Sequence, residues 1–486
     1  MKLNHLLHNL NYETFSDDLS TNIDGLSIDS RDIQKNYLFI AIKGTSLDGH
    51  EFIDKAIEKG AIAVIHDSII DIEKYDKQVI FIKVKNSADV LGRVASNFYD
   101  NPSIKLKLVG ITGTNGKTTT ATLLYQLFLN LGYKVGLIST VENRIHDKII
   151  PSTHTTPNAI HLQRLLNEMV EKGCDFAFME VSSHAIDQNR IADVHFTGAV
   201  FTNITHDHLD YHKTFDNYLH AKKNFFDNLS KEAFALVNKD DRNSSFMLQN
   251  TKAKKYSYSI LNTSNFKAKI LENTIDGLHL DLDGFDFYGK MIGEFNAYNL
   301  VCVYACSYLL GVKKDEILTT LSKLNGAEGR FDYIKTDDNI VGIVDYAHTP
   351  DAIEKVLTTI NTLKSSNSKV ITVVGCGGDR DKAKRPVMTK ISCEFSDVVV
   401  VTSDNPRTEN PSAIIEDMLE GLSPTFKNKI IVNENRLHAI QTACKLASKD
   451  DFILIAGKGH EKYQEVNGVK TPFDDKKILH DILKKE

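Results

Sequence analysis

The sequence lacks an excess of basic charge: 58 Lys and Arg stand against 64 Asp and Glu, a formal net charge of -6. With no general positive field, nucleic acid is not expected as a partner. It also lacks any apolar run near the roughly 18 residues of a membrane span, and the opening MKLNHLLHNL is too short and polar for a signal peptide. No membrane partner is expected. Six cysteines (Cys174, Cys302, Cys306, Cys376, Cys393, Cys444) include no Cys-x-x-Cys pair and no metal-finger spacing. That usage suggests a reducing cytoplasm. Cys302 and Cys306 stand four apart in an apolar helical stretch and read as core. No internal repeat or low-complexity tract is present. What remains is an ordinary globular composition in 486 residues, enough for about two to four domains.

The most informative segment is Gly110-Ile-Thr-Gly-Thr-Asn-Gly-Lys-Thr-Thr119. It follows the apolar run Leu106–Ile111, which reads as a buried strand. It precedes Thr120–Leu131, which reads as a helix stopped by Gly132. A strand, a glycine loop ending in Gly-Lys-Thr and a helix meet the needs of triphosphate binding. Glycines let backbone N–H groups turn toward phosphate oxygens. The helix N-terminus adds partial positive charge, Lys117 a full one, and Thr118 a hydroxyl for Mg2+. Only two residues separate Gly113 from Gly116, fewer than in the usual Gly-x4-Gly-Lys-Thr loop.

Three blocks organise the chain. Residues 1–98 mix short strands (Leu38–Ile42, Ala61–His66, Val79–Val84) with helices, and Asp100–Ser103 reads as a linker. Residues 99–330 hold the phosphate loop and the strands Val135–Ser139, Phe176–Val181 and Ala199–Asn203, separated by helical segments. That alternation predicts a largely parallel sheet wrapped by helices. Within this block 251–293 alternates more and carries Asp-Gly turns at 276–277 and 283–284, so a small antiparallel insertion is predicted. A helix is expected near Asn296–Leu310. Residues 331–486 alternate again through Val341–Val344, Val370–Val374, Val398–Thr402, Ile430–Val432 and Phe452–Ile455. The fold class is α/β in three domains.

Polar segments after these strands carry the candidate chemistry, because ligands of doubly wound sheets bind beyond strand carboxyl ends. Glu180 ends one strand, where a carboxylate can hold magnesium directly or through water. Asp207, His208, Asp210 and His212 cluster after another. Lys222 and Lys223, on a predicted helix, read by default as a solvated face. The glycines at 375, 377 and 378 do not make a dinucleotide fingerprint, since Arg380 stands where the third glycine is needed. Arg380 and Arg407 offer planar forks for carboxylates, and with Glu461 they suit a zwitterion.

Taken together, GTNGKTT, EVSSH, DHLDYH, GEFNAYN, VDYAHTP, GCGGDRDKAKRP, DNPRTE and AGKGHE resemble, in order and over nearly the whole chain, the Mur ligases. These are the ATP-dependent amino-acid ligases of peptidoglycan precursor synthesis. The Asp-Asn-Pro-Arg run resembles the diaminopimelate-adding members. The resemblance implies an N-terminal UDP-substrate domain, a central ATPase domain and a C-terminal Rossmann-like domain. It implies that Gly113, Thr114, Asn115, Gly116, Lys117, Thr118 and Thr119 cradle ATP phosphates, with Asn296, Arg330 and Asp345 completing the ATP site. Thr118, Glu180 and His208 are implied at the magnesium site, together with Lys222 as a carbamate, which overturns its solvated-face reading. Lys117, His208 and Lys222 would be catalytic. Ser30, Thr45, Ser46, Thr155, Thr156, Ser182, Gln188 and Arg190 would bind the UDP-N-acetylmuramoyl-dipeptide. Arg380, Asp404, Asn405, Pro406, Arg407, Gly457 and Glu461 would bind meso-diaminopimelate. A monomer is expected. Competing readings are a lysine-adding member, a folylpolyglutamate-synthase-like ligase and a non-catalytic nucleotide-binding regulator.

Overall fold

The structure is a computed structural model that describes all residues except 17, 45, 46, 77, 485 and 486. The expectations for Thr45 and Ser46 therefore lie outside the described residues. Three principal sheets follow one another along the chain, with 5, 11 and 6 strands among the described residues, and a 2-stranded hairpin lies near the C-terminus. Helices flank the parallel strands, giving the three-domain α/β architecture.

In the first sheet the strands Gly25–Ser27, Tyr37–Ile40, Ala61–His66 and Ile80–Lys83 run parallel, and Glu13–Thr14 adds an antiparallel edge. The helix Ser87–Phe98 closes this unit, its N-terminus capped by the Asn86 side chain accepting from the amides of Ala88 and Asp89. Asp100 and Asn101 then take left-handed backbone, and the chain passes through one turn at Pro102–Ile104 into the second unit.

The strand Lys107–Thr112 occupies the middle of the large sheet, between Phe176–Glu180 and Gly198–Phe201. All three run parallel and are almost wholly buried, which explains why they read as continuous apolar runs rather than alternating ones. The strand order turns in opposite directions on the two sides of Lys107–Thr112, so its carboxyl end is a topological switch point, where open α/β sheets bind ligands. Residues 251–293 differ from expectation. Lys254–Ser259 pairs in parallel with Phe234–Asn238 and belongs to the main sheet. Only Phe266–Thr274, Gly277–Leu282 and Phe285–Gly289 form an antiparallel meander. It is stitched on by the parallel pairs Tyr258↔Phe266 and Ser259↔Lys267. Asp283 and Gly284 both have positive φ, as a two-residue hairpin turn requires. The opposite edge carries a hairpin, Glu142–Ile145 with Lys148–Pro151, that the sequence reading did not identify. The helix Glu294–Leu309 packs inside this unit with Cys302 and Cys306 fully buried, as expected of core positions.

The third sheet is parallel except for its edge strand Asp332–Lys335. Its last helix, Asp475–Leu483, is anchored by a buried ion pair. Arg436 Nε donates to Asp475 Oδ1 at 2.9 Å and Nη2 to Oδ2 at 2.7 Å, with Asp475 0% and Arg436 1% exposed. Removing one partner strands a charge in the interior. Asp475→Ala is expected to cost about 3–5 kcal/mol, read as a lowered denaturation midpoint. A midpoint within error of the parent would show that the pair does not hold the helix.

Candidate active site

The phosphate loop is built by the strand it ends and the strand beside it. The helix starts at Lys117, directly after Gly116, three residues earlier than predicted. The loop glycine thus serves as the helix cap at φ +86. Gly113 has φ +152, and a Cβ there would sit 1.9 Å from Thr202 Oγ1. Thr202 and Asn203 pin the loop in return. Asn203 O accepts from Thr114 N at 2.8 Å, Asn203 Oδ1 accepts from Asn115 N at 2.9 Å, and Thr202 Oγ1 donates to Asn115 O at 2.6 Å. Thr118 and Thr119 are buried in the first helical turn.

Two lysines meet at one carbonyl of this loop. Lys117 Nζ donates to Gly113 O and Thr114 O, both at 2.8 Å. Lys222 Nζ donates to the same Gly113 O at 2.9 Å from the helix Phe215–Asp227. Lys222 is 1% exposed, which removes the solvated-face reading, and its Nζ stands 4.7 Å from the Tyr218 ring centre. Burial, then the charge of Lys117, holds the Lys222 ammonium well below the usual lysine range. Lys117 is lowered as well, again by burial, against the pull of Glu180 and Asp207.

Glu180 lies across the loop from these cations, 1% exposed. Its Oε2 accepts from Thr118 Oγ1 at 3.0 Å and its Oε1 from Thr140 N at 2.8 Å. The Thr118 oxygen accepts from Arg330 Nη2 at 3.2 Å. Asp345 accepts from Phe331 N at 2.6 Å; burial raises its carboxyl while Arg330 opposes the shift. His208 lies next to Asp207, and burial lowers its imidazole despite that carboxylate. These groups border one cavity of ≈ 1080 Å³ between the second and third sheets. Asn296 does not line it. Its Nδ2 donates to Ile292 O and its Oδ1 accepts from Asn299; Asn299 lines the cavity instead. Asn296 faces a second cavity of ≈ 840 Å³, and Arg330 borders both.

Magnesium favours oxygen donors. The Thr118 hydroxyl and the Glu180 carboxylate converge at the loop and fit it. Among the described residues no cluster of three or more His, Cys, Asp or Glu is arranged to hold a metal ion.

Most of the residues expected at the UDP substrate gather on the other side of Glu180. Thr156 Oγ1 donates to Glu180 O at 2.8 Å and accepts from Ser182 N at 3.1 Å. Arg190 donates to Thr156 O at 3.0 Å and, through Nε, to Gln188 Oε1 at 3.0 Å. Thr155 takes a hydrogen bond from Thr140 Oγ1 at 3.1 Å. Ser30 stands apart, buried in the first unit, and has no hydrogen bond to this group among the described residues.

Of the residues expected at the amino acid, Asp404–Arg407 follow the strand Val398–Val401 and Gly457 and Glu461 follow Phe452–Ala456, whereas Arg380 follows Val370–Val374. Asn405 Nδ2 donates to Glu461 Oε2 at 2.7 Å. Gly457, at φ +112, lets Asp404 approach: a Cβ there would lie 2.5 Å from Asp404 Oδ2. Arg407, at φ 53, donates through Nη1 to Gly378 O at 2.7 Å. Pro406 O crowds Gly378, where a Cβ would lie 1.9 Å away. Close packing of two loops thus accounts for that glycine. Arg380 is exposed and reaches Asp379 O at 3.2 Å.

Three features were missed from sequence. Lys458 is 0% exposed and bonds Asn405 and Glu461. The hairpin Tyr463–Val466 with Val469–Pro472 clasps Arg407, whose N donates to Glu465 O and whose O accepts from Asn467 N. Asp351 Oδ2 accepts from Asn115 Nδ2 at 2.8 Å, tying the phosphate loop to the third unit. The Gly-Lys-Gly-His-Glu segment was a visible signal for Lys458. A contact between residues 115 and 351 has no local signal.

Comparison with known proteins matches the Mur ligase family, catalytic domain over residues 22–99, the Mur ligase middle domain over 111–307, and the Mur ligase, glutamate ligase domain over 329–459. A UDP-N-acetylmuramoyl-L-alanyl-D-glutamate–2,6-diaminopimelate ligase of Cytophaga hutchinsonii is 54% identical over 483 residues, 99% of each chain. The ligase of the same name from Phocaeicola vulgatus is 51% identical over 486 residues, 100% of each. A solved structure of a ligase of that name superposes with a TM-score of 0.70 at 30% identity, covering 100% of this chain and 99% of its own. With this likeness running through all three units, the phosphate loop of the second included, the chain belongs to the Mur ligase family.

Proposed function

We propose that this protein is an ATP-dependent ligase that joins meso-2,6-diaminopimelate to UDP-N-acetylmuramoyl-L-alanyl-D-glutamate through an acyl phosphate. One juxtaposition carries the reading: a phosphate loop with Lys117 and Glu180, and in the same chain the Arg407 guanidinium and the Glu461 carboxylate on the loops after Val398–Val401 and Phe452–Ala456, with Asn405 bonded to Glu461. The first suits phosphoryl transfer. The second suits an amino acid whose distal end carries both an ammonium and a carboxylate. Relatives of that name, 50% or more identical over nearly the full chain, support it.

The chemistry follows from these parts. Residues 113–119 hold the ATP phosphates, with Asn299, Arg330 and Asp345 around the same cavity. The substrate's terminal carboxylate attacks the γ-phosphorus, ADP leaves, and an acyl phosphate forms. Lys117 offsets charge on the transferring phosphoryl group. Thr118, Glu180, His208 and a carbamylated Lys222 would hold magnesium, which supplies further charge neutralisation there. An unprotonated amine of diaminopimelate then attacks the acyl carbon. Collapse of the tetrahedral intermediate expels phosphate and leaves the amide. Ser30, Thr45, Ser46, Thr155, Thr156, Ser182, Gln188 and Arg190 are assigned to the UDP substrate. Arg380, Asp404, Asn405, Pro406, Arg407, Gly457 and Glu461 are assigned to the amino acid.

The test is phosphate release by the purified protein with ATP, magnesium and UDP-muramoyl-dipeptide, offered diaminopimelate and lysine in parallel. Release and product with diaminopimelate are expected; release that needs neither dipeptide nor amino acid overturns the reading. Selectivity is expected to reside in Arg407. Its fork can pair with the distal carboxylate that lysine lacks, and a site built around that contact leaves a guanidinium unpaired when the contact is missing. Arg407→Ala is expected to cost about 1.5–3 kcal/mol in diaminopimelate binding, to leave the Michaelis constant for ATP nearly unchanged, and to let lysine gain relative to diaminopimelate. A variant that keeps its full preference moves the specificity determinant elsewhere.

A further inference from the structure

Lys458 is a buried cation for which the reaction above has no use. It lies between Gly457 and Gly459, both at positive φ, on the loop after Phe452–Ala456. It is 0% exposed. Burying an ammonium is costly unless it is paired and hydrogen-bonded. Its Nζ donates to Asn405 Oδ1 at 3.0 Å and to Glu461 Oε2 at 3.2 Å, and stands 5.4 Å from the Tyr463 ring centre.

These bonds decide which way the Asn405 amide points. Asn405 Oδ1 accepts from Lys458 Nζ and also from Glu465 N at 2.9 Å. With two donors aimed at it, that end of the amide must be oxygen, so Nδ2 is turned to Glu461 Oε2. Glu461 Oε2 thereby takes two donors, while Oε1 accepts none from the described residues. A single carboxylate oxygen is left for an incoming ammonium, in a fixed orientation.

We propose that Lys458 is a positioning residue for amino-acid selection: it locks the Asn405–Glu461 pair and leaves one Glu461 oxygen to accept the substrate ammonium. The inference rests on the assignment of this pocket to the amino acid. The charged and titratable groups around Glu461 come from four segments. Asp404 arrives from the loop after Val398–Val401. Arg436 comes from the helix Arg436–Leu446, where Asp475 pairs with it and Asp404 lies 3.9 Å away. Tyr346 follows the strand Val341–Asp345. Lys458 and Tyr463 flank Glu461 in its own segment. Burial and Asp404 push the Glu461 carboxyl up, and Lys458 opposes them. Losing Lys458 removes that opposition, so Glu461 takes up a proton at higher pH and no longer pairs with an ammonium.

The experiment compares the full-length parent with Lys458→Met and Lys458→Gln. It measures Michaelis constants for diaminopimelate and ATP from pH 6 to pH 9, and nucleotide affinity by calorimetry. For Lys458→Met we expect a rise of about tenfold or more for diaminopimelate, a change for ATP within about twofold, and an acid limb of kcat/KM for diaminopimelate displaced to higher pH. Lys458→Gln retains a neutral donor to Asn405 and is expected to recover part of the affinity at alkaline pH only. An unmoved acid limb, an equal rise for both substrates, or loss of nucleotide binding in both variants overturns the inference, the last by making Lys458 a folding residue. If the parent itself does not use diaminopimelate, the pocket assignment fails first, and the parent assay shows that separately.

Discussion

Lys117→Ala is expected to lower turnover by about 100-fold or more, the scale of losing one preorganised charge from a transition state. The fold should survive. The loop is held by Thr202 and Asn203 through bonds that do not involve the Lys117 side chain. The helix begins directly after Gly116, whose positive-φ backbone caps it. What the substitution removes is a cation whose Nζ bends over Gly113 O and Thr114 O, where phosphate oxygens would compete for it. Charge on the transferring phosphoryl group is redistributed along the reaction, so the loss should fall more on kcat than on ATP affinity. Steady-state kinetics at saturating ATP check this, with calorimetry of ATP binding as the control. Near-parental turnover would remove Lys117 from the mechanism.

Much of this site was legible because its residues are contiguous. The phosphate loop and the Asp404–Arg407 segment each follow an apolar strand and Glu180 ends one, and a strand followed by glycine and polar residues announces itself within about a dozen positions. The parallel core strands were legible for the same reason: burial on both faces leaves an unbroken apolar run. Legibility ended where pairing was non-local. Lys254–Ser259, with two lysines, two tyrosines and two serines, carries no mark that it joins the parallel sheet, because its partner Phe234–Asn238 and not its own pattern decides that. The hairpin Glu142–Ile145 and Lys148–Pro151 is a partly exposed edge with weak alternation. Asn296 was assigned to ATP by resemblance, whereas its neighbour one helical turn on, Asn299, faces the cavity. A motif names a turn of helix, and only packing decides which side chain of it looks inward. Lys222 shows the same limit: a lysine on an amphipathic helix reads as solvated until the fold turns that face to the core.

Lys222→Ala is expected to be inactive, by about 100-fold or more, and a short carboxylate such as acetate is expected to restore part of the activity. The argument starts from an unfavourable arrangement. A 1%-exposed ammonium has one carbonyl acceptor, Gly113 O, and shares it with a second lysine. Burial and the like charge both favour losing the proton. A neutral amine is the form that attacks carbon dioxide: its nitrogen bonds the carbon, a proton goes to solvent, and the product is an anionic carbamate. That anion would turn two clustered cations into an opposed pair with Lys117. It would also offer hard oxygen donors beside Thr118 and Glu180, where magnesium is proposed. Acetate diffusing into the space left by Lys222→Ala would supply the same charge in the same place, although without a tether. Two measurements check this: recovery of turnover with acetate concentration in the variant, and a carbon-13 carbamate resonance in the parent supplied with labelled bicarbonate. Full activity of Lys222→Ala without added acid would show that the lysine is dispensable, and an active nucleotide-bound crystal with a plain ammonium at Lys222 would show that it acts unmodified and that the metal is held by other groups.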